Sequence, residues 1–460
     1  MKGFKILKGW KKRFYLLFFL VLLISLALAD MVYYQNRFYQ GIYLNDIALG
    51  GKSLEEVEEI LENMQITFAG LEGMLYSIPL KKIGIIISQG QMIREGYNNG
   101  RESPWPFNLL CRIQMKKQET SLTLHYHLDL HLMEQGLETL KNTFNSNPVD
   151  AHFSVKDKAI TLFLEKQGSR ILTEELIILL QNLNQGNEPL FIAVPLEILH
   201  PEVTALSLAQ KGLTAEMSSF TTEFNPTAAN RNHNISLAAY TLNNYIIAPG
   251  EMFSLNAVMG DTTAEKGYKE APVILNGKIV SGIGGGLCQV STTLYNAALL
   301  ADLQVLERHN HLLTVPYVPP GRDATVSYGA RDLKFRNNKE HYLQIISGIE
   351  ENILFIGFAG SPLKEHVEII IHERAVFSPP IRYEAAPELF QWEAEIIEGS
   401  PGYTVEVWKI VYLDNEEKSR KAISIDTYNP HPIIFRRGTK TSDSNTSVPM
   451  SIRILPAISP

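Results

Sequence analysis

One cysteine in this sequence has surroundings that would favour a nucleophile. Cys288 follows three consecutive glycines, Gly284 to Gly286, and precedes a run with helical apolar spacing, which predicts a helix from about Cys288 to Ala301. Free backbone N–H groups and the positive end of the helix dipole stabilise a thiolate there, and the same groups could hold an oxyanion. The alternative is a tight turn followed by a small buried cysteine.

Two histidines follow at a distance that would let them return to this cysteine. The predicted helix is about 20 Å long, and an extended segment from Asp302 to His311 can reach about 30 Å. His309 and His311 have the same parity in that segment, so an unbroken strand would place both on one face. A cysteine activated by a histidine is the minimum arrangement for acyl transfer through a thioester. The alternative is that His309-Asn-His311 is only the end of a strand at the surface.

A metal site at these histidines is the weaker hypothesis, because no cysteine or carboxylate pair with ligand spacing accompanies them. We therefore expect neither a metal nor a cofactor. Asp323 would orient the histidine, a role open also to Asp332, and Arg322 would bind a substrate carboxylate with two parallel hydrogen bonds. Arg322 and Asp323 are equally compatible with an ordinary turn pair. The other expected substrate-binding residues are Gly285, Gly286, Gln289, Ser291 and Tyr328.

Length and composition limit the class of protein. The chain has 460 residues, which predicts two to four domains. Its 42 basic and 49 acidic residues leave a net charge of −7, which gives no electrostatic signature of nucleic-acid binding. The two cysteines, Cys111 and Cys288, exclude a disulfide-rich framework and allow at most one bridge.

The N-terminus predicts the compartment. A basic flank from Lys2 to Arg13 precedes an uncharged apolar run of 16 residues, from Phe14 to Ala29. Basic residues stay on the cytoplasmic side, so the rest of the chain is expected outside the membrane. We favour an uncleaved single-pass anchor, because aromatic residues after the run extend it into the membrane interface. A signal peptide cleaved after Ala29 is the alternative.

The order of elements predicts an α+β multidomain protein. Helical and alternating patterns divide it into a basic flank and membrane anchor at 1–40, two small α+β modules at 41–147 and 148–205, and a mixed α+β domain at 218–360 with Cys288 at a helix N-terminus. A small glycine-rich all-β domain at 386–440 and a disordered tail at 441–460 would follow. In the central domain, a strand at 342–346 is expected to pair with one at 353–358.

Several motifs occur in a fixed order between residues 218 and 345: Asn230-Arg-Asn-His-Asn-Ile, Gly284-Gly-Gly-Leu-Cys-Gln-Val-Ser-Thr-Thr, Glu307-Arg-His-Asn-His and Gly321-Arg-Asp-Ala-Thr-Val. Together they resemble the VanW family of cell-envelope proteins. Residues 41–147 and 148–205 resemble two copies of the peptidoglycan-binding domain that often precedes it. Residues 386–440 resemble the small glycine-rich β domain of wall-associated proteins.

The resemblance implies a location at the Gram-positive cell wall, with peptidoglycan stem peptides as partners. Some family members lie in glycopeptide-resistance gene clusters, and certain relatives act as L,D-transpeptidases that join stem peptides through a cysteine acyl-enzyme. By position, Cys288 would be the nucleophile and His311 the base. The family motif usually has a serine after this histidine, where this chain has Leu312.

Three hypotheses follow for the function. The first is a membrane-anchored transpeptidase in which Cys288 forms a thioester that an amine of a second peptide resolves. The second is a non-catalytic peptidoglycan-binding or scaffolding protein associated with envelope maintenance or glycopeptide resistance. The third is a hydrolase in which water resolves the same thioester.

Overall fold

The computed structural model describes residues 3–103, 107–183, 190–275, 278–441 and 449–455. The predicted α+β class, with an N-terminal apolar helix and a β-rich C-terminal region, is confirmed. The chain divides into two compact units. The first unit comprises residues 1–149 and 167–200, and the second comprises residues 150–166 and 201–460.

The first unit begins with a long apolar helix, α1 (Gly3–Tyr33). Its segment Lys12–Tyr33 has a mean hydropathy of 2.5 and is not buried against the protein, so its length and composition suit a membrane span or a signal sequence. The elements that follow are β1 (Ile42–Leu44), β2 (Ile47–Ala48), α2 (Leu54–Glu62), β3 (Gln65–Ala69), β4 (Leu75–Pro79), β5 (Ile85–Ile87), α3 (Gln89–Asn98), α4 (Phe107–Lys117), β6 (Thr120–Leu122), β7 (Tyr126–Leu128) and α5 (Leu130–Phe144), with short 3₁₀ turns at Leu71–Gly73 and Leu80–Ile83.

Next along the chain lies a hairpin, β8 (His152–Lys156) and β9 (Ala159–Phe163), which belongs to the second unit. The first unit then resumes with β10 (Gly168–Ile171), α6 (Thr173–Gln181), β11 (Phe191–Ala193) and β12 (Leu196–Leu199). Its strands form small sheets with one shared apolar core, and β11 lies parallel to β3. The helix α2 starts with the capping box that Ser53 and Glu56 form, which satisfies N–H groups that the first helical turn leaves free.

The second unit continues with α7 (Ala205–Gln210), β13 (Ala215–Glu223), α8 (Ala229–Leu242), β14 (Ile246–Ile247), β15 (Met252–Ser254), α9 (Leu255–Met259), β16 (Glu270–Leu275), β17 (Lys278–Ile283), α10 (Leu287–Leu300), β18 (Gln304–Glu307), β19 (Lys334–Arg336), β20 (Leu343–Glu350) and β21 (Ile353–Gly360). Its central sheet has the order β13-β21-β20-β14 and is antiparallel. The expected pairing of 342–346 with 353–358 is therefore present.

Two layers cover the central sheet. Side chains alternate between faces along a strand: Leu354, Ile356 and Phe358 of β21 join the core that includes α8 and α10, while Phe355 packs with Phe153 of the β8–β9 hairpin. Residues 289–299 of α10 are all buried, as expected for a helix enclosed on every side. The helix that carries Cys288 is therefore the central helix of this unit.

The C-terminal region consists of two sheets, ordered β22-β25-β26 and β23-β27-β24-β28. Their strands are β22 (Glu365–Phe377), β23 (Ile381–Phe390), β24 (Glu393–Ile397), β25 (Gly402–Leu413), β26 (Glu416–Tyr428), β27 (Ile433–Lys440) and β28 (Ser451–Leu455). The β structure thus begins before residue 386. Part of the tail expected to be disordered is a strand, because β28 pairs in parallel with β24; residues 442–448 and 456–460 lie outside the described residues.

Replacing Phe335 with alanine should destabilise the core beneath the site. Its ring is fully buried, stacks on Phe253 at a centroid distance of 4.7 Å and meets Phe358 edge-on at 5.7 Å. Because the substitution leaves a cavity, we expect a loss of about 3–5 kcal/mol, measured as faster hydrogen exchange in β20 and β21. Tyr240→Ala, at a position 81% exposed, is the control. Equal protection in both variants would contradict the expectation.

Candidate functional site

The glycine turn before α10 is fixed by the helix next to it. Gly284 and Gly286 have φ values of +83° and +113°, which favour glycine. A Cβ on Gly285 would lie 2.5 Å from the carbonyl oxygen of Pro272. The buried Asn234 of α8 donates through Nδ2 to the carbonyl of Gly285 at 2.9 Å. The turn therefore has one geometry, and it places Cys288 second in α10, where the backbone N–H has no partner within the helix.

One stripe of α10 holds the segment that carries Asp323. The Cys288 thiol lies 3.7 Å from the carbonyl oxygen of Val326. One helical turn later, Thr292 Oγ1 accepts a hydrogen bond from the Ala324 N–H at 2.9 Å. The helix and the segment therefore run antiparallel, and their contacts fix the position of Asp323 relative to the thiol.

His311 is bound to Asp323 by two hydrogen bonds. Its Nδ1 lies 2.6 Å from Asp323 Oδ2, and its backbone N–H donates to the same oxygen at 2.7 Å. Both side chains are buried, with 4% and 1% exposure. Because Nδ1 is engaged, Nε2 is the ring nitrogen available to Cys288. The two residues line the same cavity, and each favours the charged form of the other.

The second oxygen of Asp323 is also fully engaged. Oδ1 accepts from Arg308 Nη2 at 3.1 Å and from the hydroxyl of Tyr428. Arg308 is buried as well, and its Nη1 donates to Asp426 Oδ2 at 2.7 Å. Four donors thus surround one buried carboxylate, which compensates the cost of removing its charge from water.

The electrostatics favour a charged cysteine–histidine pair. Burial acts to raise the pKa of the Cys288 thiol, but the hydrogen bond and charge of His311 outweigh it, and the pKa lies below its usual value. Burial acts to lower the pKa of His311, but Asp323 and Cys288 raise it to about 9. Burial likewise opposes ionisation of Asp323, whereas His311 and Arg308 hold its pKa low. The two groups therefore stabilise each other's charged forms, and near neutral pH His311 is an imidazolium.

A cavity of about 530 Å³ opens beside the thiol. Of the residues predicted to form the site, it is lined by Cys288, His311, Gly285, Gly286, Gln289 and Tyr328. Gln289 is nonetheless buried, and its amide nitrogen donates to Thr222 Oγ1 and to the carbonyl of Glu223. Its carbonyl oxygen accepts from Arg231 at 2.8 Å. Gln289 therefore positions Arg231, whose side chain lines the cavity.

Four predicted site residues lie away from the cavity lining, and one of them, Asp323, contacts His311 from behind it. Ser291 is fully buried inside the unit. Arg322 directs its guanidinium to Asn296 Oδ1 and over the ring of Phe220. His309 pairs with Glu307 at 3.1 Å.

The two histidines do not share a face, because the strand does not reach them. The pairing of β18 with β19 is irregular between Val305 and Glu307, and β18 ends at Glu307. The parity argument therefore does not apply to His309 and His311. Arg308, which lies between Glu307 and His309 in the sequence, turns its side chain inward to Asp323.

Four residues of the site were not predicted: Arg231, Arg308, Asp426 and Tyr428. Arg231 and Arg308 stand inside the motifs that carried the family resemblance, so their presence there was the available signal. Asp426 and Tyr428 lie on a distant strand, and no pattern near them indicates a site. Within the described ranges, no cluster of three His, Cys, Asp or Glu side chains could hold a metal ion.

A cysteine at a helix start, backed by a buried histidine–carboxylate pair and facing a cavity, has the arrangement of a nucleophilic cysteine site. Residues 230–358 form a VanW-like domain, since they match the family described as "VanW like protein". Residues 76–191 match "Putative peptidoglycan binding domain", and residues 370–440 match "G5 domain". Together these matches support a cell-wall-associated protein.

Two curated relatives resemble part of the chain. "Uncharacterized protein YoaR" of Bacillus subtilis (strain 168) is 47% identical over 152 residues, 33% of this chain and 50% of the relative. "Vancomycin B-type resistance protein VanW" of Enterococcus faecalis (strain ATCC 700802 / V583) is 36% identical over 121 residues, 25% of this chain and 44% of the relative. The chain thus spans about half the length of these relatives.

A solved structure entitled "IgA1 Protease G5 domain structure" is 28% identical and matches 18% of this chain and 99% of its own, with a TM-score of 0.12. A TM-score this low does not establish a shared fold.

Alkylation of Cys288 should follow a titration below the usual thiol pKa of about 8.5. In a Cys111→Ser background Cys288 is the one remaining cysteine, and iodoacetamide rates measured against pH report its thiolate. His311→Gln should move the midpoint upward, because the strongest opposition to burial is then lost and only the contacts with Val326 and Thr325 remain. His309→Gln is the matched control, since His309 pairs with Glu307. Identical profiles for both variants would contradict the cysteine–histidine pair.

Proposed function

We propose that this protein is exported, held to the membrane by α1, and crosslinks peptidoglycan stem peptides by cysteine-dependent acyl transfer of the L,D-transpeptidase type. The observation that carries the proposal is the Cys288–His311–Asp323 arrangement at the wall of a cavity. The matches to a peptidoglycan-binding family and to the VanW-like family support the choice of substrate.

In the first half of the reaction, the Cys288 thiolate attacks a peptide carbonyl of the donor stem. The carbonyl becomes an oxyanion, which the N–H of Cys288 at the positive end of α10 would stabilise. The imidazolium of His311 gives its Nε2 proton to the leaving amine as the C–N bond breaks. The products of this half are a thioester between Cys288 and the shortened donor stem, and a released leaving group with a free amine.

In the second half, an amine of another stem peptide attacks the thioester carbonyl. Neutral His311 takes the proton from this amine, the C–S bond breaks, and the thiolate and imidazolium return. Because the pKa of His311 is raised to about 9, the proton needed for the first half is present at neutral pH and is lost as the pH rises through 9. Turnover should therefore decline above that pH.

Arg231 supports a preference for donors with a free carboxylate beside the scissile bond. Its guanidinium lines the cavity, is held by Gln289, and forms no ion pair among the described residues. It also interacts electrostatically with Cys288, which places a positive charge near the reacting carbonyl. The role expected for Arg322 thus passes to Arg231, and the leaving group we propose is a C-terminal amino acid.

The proposed reaction is tested on the full chain with disaccharide-tetrapeptides, using mass spectrometry to detect products. We expect peptide dimers that have lost a terminal residue, and none from Cys288→Ala. Shortened monomers without dimers would indicate that water resolves the thioester. Absence of product and of covalent adduct, with peptidoglycan binding retained in both proteins, would replace the enzyme with the scaffold hypothesis.

Replacing Arg231 with glutamine should weaken turnover of donors with a free C-terminal carboxylate. Loss of a charge-assisted bidentate contact should lower kcat/KM about 10- to 100-fold, whereas a donor amidated at its C-terminus should change little. This comparison separates substrate recognition from any effect on the thiol. Arg336→Gln, at an exposed position on β19, is the control. An equal loss for both donors would refute carboxylate recognition by Arg231.

A further inference from the structure

Part of the environment of His311 comes from the C-terminal β region. Asp426 and Tyr428 lie on β26, inside the stretch that matches the G5 domain and outside the VanW-like match. Tyr428 is fully buried although it carries a hydroxyl. That hydroxyl accepts the N–H of Gly321 at 2.6 Å and donates to Asp323 Oδ1. Since Gly321 supplies a donor, the direction of the bond to Asp323 is set.

Asp426 acts on the same carboxylate through Arg308. The guanidinium of Arg308 donates to Asp426 and to Asp323, so one cation lies between two buried anions. The side chains of Arg308, Asp426 and Asp323 are 7%, 5% and 1% exposed, respectively. If Asp426 were removed, Asp323 would be the one carboxylate that still pairs with the charge of Arg308.

The end of β26 also contacts the segment that carries His311. The carbonyl of Thr427 accepts from Asn310 Nδ2 at 3.1 Å, and the N–H of Asn429 donates to the carbonyl of Leu312 at 2.7 Å. These contacts flank His311 on both sides in sequence. On the neighbouring strand, Val407 approaches Gly321 so closely that a Cβ there would lie 2.5 Å from its Cγ2.

A contact surface that only holds two domains together would not need these buried polar and charged groups. Apolar side chains of similar volume usually stabilise such a surface as well as a buried ion pair or better, because burying charges costs solvation free energy. Here the buried polar groups converge on one acceptor, Asp323, and through it on His311.

We propose that Tyr428 and Asp426 are positioning residues of the reaction site, and that β26 completes the support of His311 through Asp323. The role rests on the proposed function, but the contacts it invokes do not. Tyr428 fixes one oxygen of Asp323, so the other remains directed at His311 Nδ1. Asp426 balances the charge of Arg308, so the negative charge of Asp323 stays available to the imidazolium.

The two residues should act on His311 in opposite directions. Tyr428→Phe removes a donor from Asp323, which concentrates negative charge on the carboxylate and should raise the pKa of His311. Asp426→Asn removes a nearby anion, which strengthens the hold of Arg308 on Asp323 and should lower it. Each shift should be roughly half a pH unit. The titratable and charged groups around His311 and Asp323 are Cys288, Arg308, Asp426, Tyr428, Tyr295, Tyr317 and Arg231.

The test is a pH titration of His311 by NMR in full-length protein labelled at histidine, with the signal identified by its absence in His311→Gln. Tyr412→Phe is the matched control for tyrosine, because its hydroxyl donates to Glu368 in the same sheet. Glu417→Gln, which removes a surface partner of Arg420, is the control for charge. Opposite shifts in Tyr428→Phe and Asp426→Asn, with neither control shifting, support the proposal.

Turnover provides the second readout. Both variants should lower kcat about tenfold with little change in KM, because His311 is held less well in its reactive orientation while the cavity is intact. Wild-type protein without turnover, combined with the opposite NMR shifts, would reject the transpeptidase and keep the positioning role. An unshifted His311 in both variants would overturn the positioning role, whatever the turnover.

Discussion

The site depends on one buried carboxylate. Asp323 accepts two hydrogen bonds from His311 on one oxygen, and bonds from Arg308 and Tyr428 on the other. Leaving this buried carboxylate without one of its hydrogen-bond donors would cost free energy. That cost keeps each of the donor groups in place. The orientation of His311, the lowered pKa of Cys288 and the packing of β26 against this site all depend on the requirement for these donors.

The sequence predicted the parts of the site that depend on local structure. Glycines before an apolar helical run place a cysteine at a helix start, and a short return segment places His311 beside it. The sequence did not predict the path of that segment. The irregular pairing between Val305 and Glu307, at the end of β18, has no recognisable signal in the local sequence. His309 and His311 therefore face different surroundings despite their common parity.

Residue type alone also did not show which of two arginines lies at the cavity. Arg322 and Arg231 are both arginines within recognisable motifs, yet the first is held by Asn296 and the second by Gln289 beside the cavity. Those partners lie on one face of α10 about two turns apart, and the sequence alone does not show which turn borders the cavity. At the fold level the α+β class was predictable, because periodicity survives in long elements, while the strand Ser451–Leu455 depends on a distant partner, β24.

The hydrogen bond from Tyr428 to Asp323 joins residues 105 positions apart, whereas Cys288 and His311 are close in sequence. Closing so long a segment carries an entropic cost that is met only when the C-terminal strands have folded. During synthesis Cys288 and His311 emerge first, and Tyr428, the last support of the Asp323 carboxylate, arrives later. The proposed reaction site is therefore completed last, after the strands that follow the VanW-like domain have folded.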